Sequence, residues 1–173
     1  VYTARLVKRE RPDCKVVFVG PCAAKKLEAM QDDIRTDVDF VLTYEELMGI
    51  FEARDIDFSQ LPDSPDLDEG TRAGRGFAVA GGVAAAVEEL IRKEHPECQI
   101  KTQRADGLRE CRKLLMLAKA GKLDGYLLEG MACPGGCVAG AGTITPVLNA
   151  ASNVRAYKAR ADRQNSLESD FVD

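Results

Sequence analysis

Two apolar runs, each ending in a segment of glycine, proline and cysteine, constrain this chain more than anything else in it. Cys14-Lys15-Val16-Val17-Phe18-Val19 stops at Gly20-Pro21-Cys22, and Tyr126-Leu127-Leu128-Glu129-Gly130-Met131 leads through Ala132 into Cys133-Pro134-Gly135-Gly136-Cys137. Short runs rich in β-branched and apolar residues, closed by turn formers, predict strands, and the first has the composition of a strand buried in an α/β sheet. Open α/β sheets place ligand sites at the C-terminal ends of their strands. Cys22 and the Cys133–Cys137 loop are therefore delivered to positions suited to chemistry.

The remaining segments alternate in kind. Residues 2–10 have helical periodicity and stop at Arg11-Pro12-Asp13. Residues 23–33 carry Ala and Leu at helical spacing, residues 39–42 predict a short strand, and Thr43 reads as the N-cap of a helix running to about Arg54. From Asp55 to Arg75 the composition turns to Asp, Ser, Pro and Gly, which predicts a long surface loop. Gly81-Gly82 opens an amphipathic helix to Lys93, residues 99–103 predict a strand, and 108–120 a helix stopped by Gly121 with its 114–118 face in the core. A helix is expected within 145–163, beginning near Pro146, and a polar, frayed tail from Gln164 to Asp173. Strands alternating with helices predict an α/β fold, a mostly parallel sheet flanked by helices, with the cysteine loops converging at one sheet edge.

Charge and composition exclude several function classes. The chain has 173 residues, 45% hydrophobic and 30% charged, with a net charge of -4. It can bury a core of ordinary size, and its interspersed charges do not form the basic patch of a nucleic-acid binder. No apolar run approaches the roughly 20 residues needed to cross a bilayer, and the first residues lack a signal-peptide pattern. A cytoplasmic protein is expected, with neither nucleic acid nor membrane as partner. The chain opens on Val1 in a helical pattern, which reads as an excised or processed fragment with something preceding it.

Six cysteines in an acidic, cytosolic-looking sequence point to metal binding or plain burial rather than to disulfides. Cys133 and Cys137 stand four apart among glycines, which allow close approach of the backbone to inorganic matter, and thiolates suit both zinc and iron–sulfur clusters. With Cys22 they make three candidate ligands. Cys14, Cys98 and Cys111 have no second thiol near in sequence and read as buried or incidental. The single histidine, His95, reads as a solvated helix end. Lys25, Lys26 and Glu28 can be a solvated first helical turn, and Met131 core. Gly81-Gly82 before a helix suggests free amides for an anion, but no Lys-Ser or Lys-Thr follows, which rejects a nucleotide P-loop.

Gly20-Pro21-Cys22-Ala23-Ala24-Lys25-Lys26-Leu27-Glu28 resembles the second signature of iron-only (FeFe) hydrogenases, and Glu129-Gly130-Met131-Ala132-Cys133-Pro134-Gly135-Gly136-Cys137 resembles the third. Gly81-Gly82-Val83-Ala84-Ala85-Ala86 is similar to a glycine-glycine-valine helix start that lies between them. The resemblance covers nearly the whole chain and implies the fold of the C-terminal domain of the iron-only hydrogenase large subunit, with residues 1–173 as the C-terminal portion of an H-cluster domain. It implies a 4Fe-4S cluster joined to a diiron subsite in the full-length protein, with none necessarily bound by this portion alone. Cys22, Cys133 and Cys137 match three of the four cysteine ligands, and Cys137 the one bridging cubane and diiron unit. Lys25 matches a lysine that donates to a cyanide ligand, Pro21 a proline in backbone contact with the diiron unit, and Met131 a methionine packed beside it.

Two departures from the family accompany the match. The first signature, a cysteine-cysteine-proline segment, has no counterpart in these residues, and Gly20 stands where productive hydrogenases usually carry methionine; Ala139 and Ala141 also interrupt the glycine run after Cys137. The implied activity is reversible oxidation of dihydrogen to protons and electrons in the full-length protein, with a ferredoxin-like carrier or upstream iron–sulfur domains as partners. A hydrogen or redox sensor and an iron–sulfur assembly scaffold are the alternatives, and this chain in isolation is expected to be inactive.

Overall fold

A computed structural model of the protein describes residues 1–62 and 70–169. It divides into two compact units, one of residues 1–61 with 140–144, the other of residues 62–139 with 145–173.

In the first unit the chain runs α1 (Tyr2–Glu10), β1 (Val17–Gly20), α2 (Ala24–Ala29), β2 (Phe40–Thr43) and α3 (Tyr44–Glu52), then a 3-10 turn at Phe58–Gln60. β1 and β2 pair in parallel, Val17 beside Phe40 and Gly20 beside Thr43. Parallel strands cannot be joined by a tight hairpin, and α2 with the turns after it supplies the crossover. Ala4, Ile34 and Val38 form the buried core, packed against Val16, Ala29 and Val41. Arg5 locks α1 onto the crossover by donating to Asp37 at 2.7 Å and to the Asp33 carbonyl at 2.8 Å. Thr43 caps α3 as the sequence predicts. Its side chain accepts the Glu46 N–H at 3.2 Å while the Glu46 carboxylate accepts the Thr43 N–H at 2.8 Å, a reciprocal capping box.

The second unit holds α4 (Arg72–Arg75), α5 (Gly82–Glu94), β3 (Lys101–Asp106), α6 (Leu108–Lys119), β4 (Tyr126–Met131) and α7 (Val147–Ala159), with 3-10 turns at Cys137–Ala139 and Ser166–Glu168. β3 and β4 pair in parallel from Lys101 beside Tyr126 to Asp106 beside Met131. That register brings both strands to an end together. Among the described residues its buried apolar side chains are Ala73, Ala84, Ala86, Leu114, Val138, Ala151 and Ala161, small apart from Leu114 and Val138.

The alternation of strands and helices is as expected, and the mostly parallel sheet takes the form of two parallel pairs, one per unit. Several local expectations are corrected. β1 is not buried: Val17, Phe18 and Val19 are 45%, 40% and 39% exposed, because a two-stranded ribbon with short helices beside it offers little cover for both of its faces. Of the 114–118 face only Leu114 is core; Leu115, Met116 and Leu117 lie on the exposed sides of α6. The helix expected over 23–33 stops at Ala29, and consecutive turns follow. The loop expected from 55 to 75 contains the 3-10 turn and α4, whose N-cap Thr71 accepts the Gly74 N–H; its residues 63–69, Pro65 among them, lie outside the described residues.

The tail is anchored where fraying was expected. Asn165 is 2% exposed, and the carbonyls of Arg163 and Gln164 accept the N–H groups of Arg72 and Ala73 at 2.7 and 2.9 Å. Its residues 170–173 lie outside the described residues.

Candidate thiol site

In the first unit, β1 ends at the buried Gly20 and the chain turns through Pro21 to the half-buried Cys22. The Pro21 carbonyl accepts the N–H of Gly142 at 2.9 Å, and the Gly142 carbonyl accepts the N–H of Glu45 at 3.3 Å. Gly142 needs to be glycine for this, since a Cβ there would stand 2.4 Å from the Thr43 Cβ. The segment 140–144, which follows Cys137 in sequence, thus buttresses the turn that carries Cys22.

A Cβ at Gly20 would meet the Phe18 ring at 2.7 Å. Positions 18 and 20 share a face of the strand, so the phenyl ring folds over the glycine and takes the space in which the family's methionine would start. Phe18, Lys25, Glu28, Ile34, Val38 and Val41 help line a cavity of about 80 Å³. Lys25 is paired with Glu28 one turn along α2, so its ammonium is already engaged. Lys26, the other lysine of that pair, donates to the Glu46 carboxylate at 2.8 Å and to the Val41 carbonyl at 3.1 Å. Its ammonium is the main reason that the Glu46 carboxyl is held down at about 2, with the Thr43 N–H second.

In the second unit β4 delivers Met131 and then Cys133, half-buried, and Cys137, exposed. The intervening loop is seated on two other segments. The Gly135 carbonyl accepts the Ala80 N–H at 3.1 Å, and Val138 N–H donates to the Ala78 carbonyl at 3.0 Å. Gly135 N–H donates to the Asp106 carboxylate at 2.5 Å. Within the loop Gly136 N–H donates to the Cys133 carbonyl at 2.9 Å, closing the turn between the thiols. Gly136 has φ +99°, and a Cβ would lie 2.4 Å from the Ala80 nitrogen. Only glycine gives the loop both that backbone conformation and that approach.

Neighbouring groups hold the base of the loop. The Met131 carbonyl accepts the Gly107 N–H at 2.8 Å and the Cys111 thiol at 3.3 Å, and Cys111 also reaches the Ala105 carbonyl at 3.5 Å. Glu129 is 8% exposed, and its two oxygens accept the N–H groups of Gly81 and Ala84 at 3.2 and 3.3 Å. The amides at the start of α5, which in sequence suggest an anion site, are therefore engaged by a carboxylate of the chain itself, which also suits the positive end of the helix.

Of the expected residues, Pro21, Cys22 and Lys25 belong to the first unit and Met131, Cys133 and Cys137 to the second. Among the described residues no group of three or more His, Cys, Asp or Glu is gathered to hold a metal ion. The donor types fit thiolate-ligated iron, and the glycine loop fits close approach to a bulky inorganic group. Sequence reasoning missed Asp106 and Glu129. The signal available for Glu129 was a carboxylate in mid-strand, which demands a partner when buried. Of the other cysteines, Cys98 is exposed and Cys14 half-buried, and the His95 side chain lies exposed at the end of α5 as expected.

Comparisons with known proteins follow the same lines. The family model of the iron-only hydrogenase large subunit, C-terminal domain, matches residues 1–141. The periplasmic Fe hydrogenase large subunit of Nitratidesulfovibrio vulgaris is 30% identical over 82% of this chain and 41% of its own length. The NADP-reducing hydrogenase subunit HndD of Solidesulfovibrio fructosivorans is 33% identical over 82% of this chain and 30% of its own. Protein NAR1 of Arabidopsis thaliana is 30% identical over 75% of this chain and 37% of its own. The chain thus spans well under half the length of these relatives. Among solved structures, an apo variant of FeFe-hydrogenase HydA1 from Chlamydomonas reinhardtii superposes with a TM-score of 0.58, covering 95% of this chain and 59% of that one at 21% identity, a likeness of fold.

Proposed function

The chain belongs to the family defined by the C-terminal domain of the iron-only hydrogenase large subunit, and on that premise we propose that it is the C-terminal portion of an iron–sulfur redox domain that oxidises dihydrogen reversibly in the full-length protein. Cys22, Cys133 and Cys137 are the proposed cluster ligands, with Cys137 as the bridging one. Pro21, Lys25 and Met131 line the diiron subsite in this reading, and a ferredoxin-like carrier or upstream iron–sulfur domains exchange the electrons. A cytoplasmic setting is part of the proposal; no helix among the described residues is long and apolar enough to cross a membrane.

The observation that carries the proposal is the seating of the Cys133–Cys137 loop, in which two glycines of positive φ and backbone contacts from residues 78–80 hold a pair of thiols in a fixed turn at a strand end. A bound cluster would supply one-electron chemistry at iron, and the chain's own contribution is to ligate it through thiolates held in a glycine-rich loop.

A second reading, an iron–sulfur assembly scaffold, is favoured by two specific points. NAR1 and a probable cytosolic Fe-S cluster assembly factor of Drosophila virilis, 29% identical over 74% of this chain, are relatives. Gly20, covered by Phe18, is one of the departures from productive hydrogenases. A hydrogen or redox sensor rests on the same departure.

The test is anaerobic reconstitution of this chain and of its Cys133→Ser variant, reading bound iron, acid-labile sulfide and the electron paramagnetic resonance spectrum. Cluster signals present in the parent and lost in the variant are expected. The full-length protein, after maturation, should show infrared bands of carbonyl and cyanide and turn over hydrogen; a cluster without those bands assigns it to the scaffold reading.

A further inference from the structure

We propose that Asp106 is the positioning residue of the thiol loop, a carboxylate that sets the Cys133–Cys137 turn before iron or sulfide arrives. It rests on the proposed cluster reading only for the importance of the two thiols; the clamp itself follows from the geometry.

The parallel register places Asp106 beside Met131 at the shared end of β3 and β4. Gly107, at φ +88°, turns the chain immediately afterwards, and its N–H on the Met131 carbonyl fixes that end. Asp106 is thereby held next to the loop that β4 feeds, and its carboxylate accepts the Gly135 N–H at 2.5 Å. The other bonds at the seat, Ala80 to Gly135 and Val138 to Ala78, run from backbone to backbone. Asp106 adds a side-chain contact to them.

Its partner is one of the loop's two glycines of positive φ. Gly135 sits at φ +91°, and glycine gives up more conformational freedom on ordering than any other residue. A hydrogen bond from its N–H to a side-chain oxygen offsets part of that loss in the free loop. A loop already ordered binds its ligand without the entropy cost of ordering at that moment.

The experiment uses the whole chain without cluster. Amide exchange over residues 131–138 and the alkylation rates of Cys133 and Cys137 are followed by mass spectrometry in the parent, Asp106→Ala and Asp106→Asn. Exchange in Asp106→Ala should rise by about tenfold, equivalent to about 1.4 kcal/mol, with exchange in α6 unchanged. Asp106→Asn should stay near the parent, because its amide oxygen still accepts. If circular dichroism shows Asp106→Ala to be unfolded, Asp106→Ser, whose shorter side chain falls short of Gly135, takes its place with the same expectation. Unchanged loop exchange, an equal rise in α6, or Asp106→Asn exchanging as fast as the alanine variant would each overturn the clamp. Iron retained after reconstitution is measured separately on the full-length protein: if it holds none, the cluster reading fails, while exchange in the apo chain still decides the role of Asp106.

Discussion

The carboxylate of Glu129 on β4 accepts the backbone N–H of Ala84 at the start of α5, across a separation of 45 residues. One strand thus closes a helix start with its buried side chain and, a few residues later, presents the thiols.

Removing that carboxylate should be costly. Glu129→Ala leaves the Gly81 and Ala84 amides without their acceptor in a buried place, and the loss should be about 1–3 kcal/mol. Urea unfolding followed by circular dichroism measures it as a lower midpoint at unchanged slope; a midpoint equal to the parent's would show that solvent satisfies those amides.

Gly136→Ala tests the seat of the loop from the other side. A Cβ there lies 2.4 Å from the Ala80 nitrogen and 2.7 Å from the Ala78 carbonyl oxygen, backbone atoms that cannot swing away. The variant should lose about 1–3 kcal/mol through forced backbone shifts and retain less iron than the parent after reconstitution. Full iron retention would mean that the turn between the thiols is not the ligand geometry.

Acid should destabilise the first unit through Glu46 and Asp39. Lys26, then the Thr43 N–H, holds the Glu46 carboxyl at about 2, below its ordinary 4.5. Lys8, then the Val16 N–H and Lys15, depresses Asp39. Groups depressed on folding contribute their stability above the unfolded value and lose it as pH falls toward the folded one. The melting temperature should therefore hold above pH 5 and fall from about pH 4.5 toward pH 2. In Lys26→Met the fall should be shallower, and an identical profile would remove Glu46 from the account.

Asp55→Gly should stabilise. Asp55 follows α3 at φ 54°, in the left-handed region that suits glycine better than a residue with a Cβ. The gain should be about 0.5–1 kcal/mol, read as a small rise in melting temperature. A fall would indicate that Asp55 makes up its strain through its carboxylate.

The sequence by itself determined the order of the strands and longer helices, the N-cap at Thr43, and the placing of Cys22 and Cys133 just past strand ends. Those features are written in local periodicity and turn chemistry, within reach of a few neighbouring residues. Burial was another matter. Phe18 has the composition of a core strand residue yet lies half in water over Gly20, and Asn165, in a polar tail, is nearly inaccessible. Exposure depends on what the rest of the chain lays over a residue, which local pattern does not encode.

Only the tertiary structure decided how the thiol loop is held. Asp106 meets Gly135 across 29 residues, and Glu129 meets Gly81 across 48. Nothing in the neighbourhood of either carboxylate marks its partner, because the pairing exists only once β3 and β4 align and α5 docks beside them. The motif named the thiols; the fold supplied the acceptors and the close glycine contacts that fix them in place.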